Sequence, residues 1–120
     1  MNVDYEQLVS EAQLSFEPRA RWGVCGTIAK DLQDHLARVL PDCSVSQARG
    51  FPREGSVVHP FLNHFVTVVR EPHGAYVALD ATRPSYDGEP LWIVKGMDAT
   101  DLERKLSILY SGHWSVSDLL

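Results

Sequence analysis

Every fourth position from Ile28 to Leu40 is apolar (Ile28, Leu32, Leu36, Leu40). Ala29 and Val39 widen the stripe, and Lys30, Asp31, Gln33, Asp34 and Arg38 lie off it. That period is a helix resting one face on a core, and it predicts a helix opening at Cys25 and closed by Pro41-Asp42. A shorter helix is expected over Asp4 to Ser15, with Tyr5, Leu8, Val9 and Ala12 on one side and Phe16-Glu17-Pro18 ending it. The pattern then changes to a period of two. Ser44 to Phe51 reads as a strand and Pro52 to Pro60 as a loop. Asn63 to Arg70 is a strand with His64, Val66 and Val68 on one face and Phe65, Thr67 and Val69 on the other. Glu71-Pro72-His73-Gly74 is a turn, and Ala75 to Asp80 is a second strand with Tyr76, Ala78 and Asp80 on one face. After the turn-rich Arg83 to Pro90, Leu91 to Val94 is a short apolar strand. Asp98 or Thr100 caps a last helix whose stripe is Leu102, Leu106 and Leu109. Gly112 ends it, and His113 to Leu120 is expected to be a tail whose Trp114 docks on the body. The fold class is therefore α+β, with two helices before a meander of antiparallel strands and one helix after, in a single domain over residues 1–120.

Composition narrows the partners. The 120 residues are 44% hydrophobic and 22% charged, as in a globular domain with a real core. A net charge of −5 without any Lys/Arg run argues against nucleic acid or an anionic membrane as principal partner. No apolar stretch approaches the ~18–20 residues that span a bilayer, and Met1 to Ser15 is polar and acidic, unlike a signal peptide. The expected compartment is the cytoplasm, with reduced thiols, or a target cell reached by export without a cleavable signal.

Two stretches carry chemistry. In Arg21-Trp22-Gly23-Val24-Cys25-Gly26-Thr27 the glycines let the backbone turn at the helix start and keep bulk away from the sulfur. A thiol there feels the positive end of the helix dipole and free N–H groups, which favour thiolate and can later hold an oxyanion. Taken alone, the same stretch is what a small buried cysteine at a helix start looks like. The second stretch is the hairpin. With its turn centred on Pro72, Val68 pairs with Tyr76, Val66 with Ala78 and His64 with Asp80, so histidine and aspartate are cross-strand neighbours with Cβ atoms ~5 Å apart. A turn one residue longer puts them on opposite faces. A carboxylate beside an imidazole fixes its tautomer and stabilises the imidazolium, which in turn stabilises a thiolate.

Gly23-Val24-Cys25-Gly26-Thr27 before a helix, then Asn63-His64-Phe65-Val66-Thr67-Val68, then Tyr76-Val77-Ala78-Leu79-Asp80-Ala81-Thr82, resembles the transglutaminase-like branch of the papain-like cysteine superfamily. That branch carries its nucleophile as G-x-C at a helix start, a histidine opening a strand and an aspartate near the end of the next. The resemblance spans Trp22 to Pro84. It implies a papain-like fold with N-terminal helices packed on an antiparallel sheet, and a Cys25–His64–Asp80 triad of nucleophile, general acid/base and orienting carboxylate. It also implies a thiol hydrolase or acyltransferase working on a carboxamide, as a peptidase, amidase, glutamine deamidase or transglutaminase. Small bacterial members include leader peptidases and secreted toxins, so an effector or toxin domain acting on a protein or peptide substrate is the expected setting. Two departures stand out. Gly26 follows the cysteine where many transglutaminases have Trp, and Gln13 lies twelve residues upstream where papain-like peptidases keep a nearby oxyanion glutamine. The backbone N–H of Cys25 is left as the oxyanion donor, with Trp22, Gly23 and Asn63 expected to line the substrate site.

The remaining polar residues have plainer readings. His35 is expected to be exposed on its helix, His73 sits in the turn and His113 in the tail, and Cys43 reads as a buried structural thiol. Cys25, His59, His64 and Asp80 are zinc-ligand types, but their spacing has no helical or knuckle geometry behind it, so no metal and no cofactor is expected. The alternative to an enzyme is a binding or immunity-type module that keeps the fold without the chemistry.

Overall fold

The structure, a computed structural model, describes residues 3–12, 25–52, 64–81, 92–110 and 112–116; the side chains of residues 25–28, 52 and 92 lie outside that description. In order, the elements are α1 (Tyr5–Glu11), α2 (Cys25–Val39), β1 (Ser44–Pro52), β2 (His64–Arg70), β3 (Tyr76–Asp80), β4 (Trp92–Gly96), α3 (Ala99–Leu109) and β5 (Gly112–Val116). The strands form one antiparallel sheet in the order β4-β3-β2-β1-β5.

Helices cover both faces. On one side Leu32, Leu36 and Leu40 join Tyr5 of α1 against Val69, Val77 and Leu79. On the other Leu102, Leu106 and Tyr110 pack with Trp114 on Ala48, Val66, Val68, Tyr76 and Ala78. The central strands β2 and β3 are therefore buried on both faces, and β3 is buried at every position. Among the described side chains of the α2 stripe, Ala29, Leu32, Leu36 and Leu40 are buried as the period predicts, whereas Val39 is 40% exposed in the last turn. Polar side chains fix the docking of α2: Thr67 Oγ1 donates to the Ala29 carbonyl at 2.9 Å, and Gln33 Nε2 donates to the Val45 carbonyl at 3.0 Å. Asp4 caps α1 through the Gln7 N–H, and Asp98 caps α3 through the Asp101 N–H. Tyr5 ties α1 to the hairpin by donating to Glu71 Oε2 at 2.5 Å. Burial, then that carboxylate, pushes the Tyr5 hydroxyl far up.

Two expectations are corrected here. The first described part of the expected tail, Gly112–Val116, is a strand antiparallel to β1, with Trp114 facing Gly50 and Ser115 facing Arg49. Gly112 and Trp114 are buried while His113 and Ser115 are exposed, so a period of two is present. The partner strand lies some sixty residues earlier, which local pattern does not reveal. The hairpin register also differs. Val68 faces Ala78 and Arg70 faces Tyr76, two positions further along β3 than a turn centred on Pro72 gives. The turn is longer because Gly74, at φ 103°, extends it: its N–H donates to the Glu71 carbonyl at 2.9 Å, and the Glu71 N–H donates to the Ala75 carbonyl at 2.8 Å. A shift of two leaves every side chain on its expected face.

Candidate active site

His64 opens β2 and Asp80 closes β3, at one end of the sheet and on one face of it. They are diagonal neighbours rather than directly opposite, a correction that follows from the register. The side chains bridge the diagonal, His64 Nε2 lying 2.9 Å from Asp80 Oδ2. Both are sealed from solvent, at 4% and 2% exposure. The same Asp80 oxygen accepts from the Tyr110 hydroxyl at the C-terminal cap of α3. A buried carboxylate is tolerable only when donors take up its charge, and here two converge on one oxygen.

Aromatic rings close the pocket around the imidazole. The Tyr110 ring centroid is 5.2 Å from that of His64, and Trp114 meets His64 edge-on at 5.8 Å and 88°. Trp114 reaches His64 across β1 because the intervening residue is Gly50, which faces both of them. A Cβ on Gly50 would lie 2.2 Å from Trp114 Cε2. Trp114 Nε1 is buried without a hydrogen-bond partner among the described residues.

Of the expected site residues, the structure brings His64 and Asp80 together. Cys25 is the first helical residue of α2, as expected, while its side chain and all of Trp22, Gly23 and Asn63 lie outside the described residues. From Ala29 to Gln33 the contacts of α2 move from Thr67 to Val45, the residue opposite Val69. The helix therefore starts toward the end of the sheet where β2 begins. Cys25 is four residues before Ala29, ~6 Å along the helix, and His64 is three before Thr67, ~10 Å along the strand. The body of α2 lies on the Thr67 face, whereas the His64 and Asp80 side chains point to the α3 face.

The other candidates resolve separately. His35 is half-buried rather than exposed, its Nε2 enclosed without a partner among the described residues. His73 is exposed in the turn with Nε2 3.3 Å from Glu71 Oε1. Cys43 is a half-buried free thiol, held above the usual thiol range by burial first and by the Glu71 and Asp42 carboxylates after it. Among the described residues no group of three or more His, Cys, Asp or Glu is placed to hold a metal ion. His59 lies outside them.

Tyr110 and Gly50 were not singled out by the sequence, and Trp114 was expected only to dock on the body. Tyr110 follows from the α3 stripe, being four residues past Leu106, but nothing local says that its hydroxyl meets a carboxylate thirty residues away. No protein-family model, curated protein or solved structure matches this chain closely enough to show a relationship.

Proposed function

We propose that this chain is a cysteine-dependent acyl-transfer enzyme acting on a carboxamide, with Cys25 as nucleophile, His64 as general acid/base and Asp80 as its orienting partner. The observation that carries the reading is the buried His64–Asp80 hydrogen bond at the end of the sheet toward which α2 starts at Cys25. With Nε2 directed at Asp80, Nδ1 is the nitrogen through which a proton passes, and the carboxylate stabilises the imidazolium. The Cys25 thiolate adds to the carbonyl of a peptide, isopeptide or glutamine side chain, and the backbone N–H of Cys25 receives the oxyanion. His64 then protonates the departing amine or ammonia. Water resolves the thioester in hydrolysis or deamidation, and an amine resolves it in cross-linking. A transglutaminase-like, papain-like arrangement fits this order of residues, and a protein partner's exposed residue is the substrate a small domain can reach, in an effector or toxin setting. A second reading has its own support. The dyad faces α3 under Tyr110 and Trp114, as a polar network inside a non-catalytic binding module does.

The pH dependence of Cys25 alkylation separates the two. The chain has only two cysteines, so Cys43→Ala leaves Cys25 as the sole thiol. Rapid alkylation at about pH 6, lost in His64→Ala and weakened in Asp80→Asn with circular dichroism unchanged, is the expected result. An ordinary thiol titrating near pKa ~8.5, or one that reacts only on unfolding, overturns the enzyme reading.

A further inference from the structure

The α2-side face of the sheet carries a groove of about 450 Å³ lined by Gln47, Arg49, Phe51, Phe65 and Ser115. The register explains its composition. Gln47, Arg49 and Phe51 alternate along β1 and so share a face, and Arg49 is flanked by Phe65 on β2 and Ser115 on β5. Phe51 is 49% exposed, a large ring left in water. The Arg49 guanidinium stacks over that ring, its carbon 4.7 Å from the centroid. The chain holds 16 Asp and Glu, yet among the described residues none pairs with Arg49, whereas Arg104 and Lys105 both have Asp101.

We propose that this groove binds an acidic segment of a partner protein, a Glu or Asp carboxylate taking the Arg49 fork and a neighbouring apolar side chain lying on Phe51 and Phe65. Three features select that occupant. A planar guanidinium held over an aromatic ring, with no carboxylate partner among the described residues, suits a bidentate carboxylate. Two aromatic walls beside it reward apolar contact that a free carboxylate ion does not supply. The volume suits a short extended segment and not a folded surface. The net charge of −5 repels acidic partners at long range, so recognition rests on the local contact. The inference goes beyond the acyl-transfer reading and does not depend on Cys25 reacting.

The test is a titration of the ¹⁵N-labelled full chain, in the Cys25→Ala variant so that no turnover intervenes. The probes are the acetylated and amidated peptide Ala-Glu-Ala-Leu-Ala, the same peptide with Gln or with Lys in place of Glu, and free glutamate. The expected result is saturable shifts at the amides of Gln47, Arg49, Phe51, Phe65 and Ser115 with the Glu peptide. The Gln peptide binds about tenfold more weakly, as for loss of one charge-assisted pair. Arg49→Ala, an exposed position whose variant is checked for an unchanged fold by its spectrum, removes the preference for Glu over Gln. Arg49→Lys restores only part of it. Equal shifts with the Glu, Gln and Lys peptides, shifts confined to other residues, or an unaltered preference in Arg49→Ala would overturn the proposal. Free glutamate binding as tightly as the peptide overturns the segment as occupant.

Discussion

Tyr110→Phe isolates one contact in the buried cluster. The substitution keeps the ring, and with it the 5.2 Å approach to His64 and the 4.8 Å approach to Trp114, and removes only the hydroxyl that donates to Asp80 Oδ2. A hydrogen bond to a charged, buried acceptor contributes ~1.5–3 kcal/mol. The remaining carboxylate still has His64 Nε2 at 2.9 Å, so the loss falls inside that range and not above it. About 2 kcal/mol is expected. For a chain intermediate between the small and large size classes this lowers the melting temperature by roughly 6–12 °C. Urea unfolding followed by tryptophan fluorescence and by circular dichroism measures it, with an unchanged m-value as the sign that only stability moved. The double variant with Asp80→Asn assigns the cause, because a real bond gives a coupling of ~1 kcal/mol or more between the two positions. A loss under ~0.5 kcal/mol, or the same loss in the Asp80→Asn background, refutes the view that Tyr110 holds the carboxylate.

Gly50→Ala places a methyl where the Trp114 indole lies, 2.2 Å from Cε2, so the ring and its edge strand must move. Overpacking of this kind costs ~1–3 kcal/mol, and the near-ultraviolet dichroism of Trp114 should change with it; wild-type stability and spectrum would show that the indole does not cross β1 at this residue. Cys43 gives a pH prediction. Its pKa is raised in the folded state, so the folded chain favours the neutral thiol. That contribution to stability is full below the ordinary thiol pKa and is lost as pH rises through that value toward the raised one. In Cys25→Ala, the alkylation midpoint of Cys43 should lie above that of a free thiol, with stability falling across the same alkaline interval; a midpoint at or below ~8.5 contradicts the burial argument.

Most elements were legible because their patterns are local. The α2 stripe, the start of α1 at Asp4, the cap of α3 at Asp98 (one of two candidates with Thr100) and the alternation of β2 and β3 each lie within a single run of sequence. What was missed is non-local or hinges on one backbone angle. Gly74 at a positive φ moved the pairing by two positions, which preserved the shared face of His64 and Asp80 but made their contact diagonal. The role of β5 needed knowledge that β1 was still unpaired on one side. Alternation in Gly112–Val116 was readable, but a five-residue strand with a distant partner looks like a docked tail. The dyad was found from its residue types and faces, whereas its lining came from the last helix and strand, where Tyr110 was not singled out and Trp114 read only as a docked tail residue.

That division has a consequence for how the molecule is made. The hairpin holding His64 and Asp80 is local and can form early, but the parts that dry it come from α3 and β5, synthesised later. Until β5 has paired with β1, the imidazole and carboxylate face water, where the attraction between them is weak. The strength of the pair is thus a property of the finished chain. A ribosome-bound or C-terminally cut molecule carries both residues but not the dry surroundings that couple them, so the full strength of the pair is withheld until assembly closes.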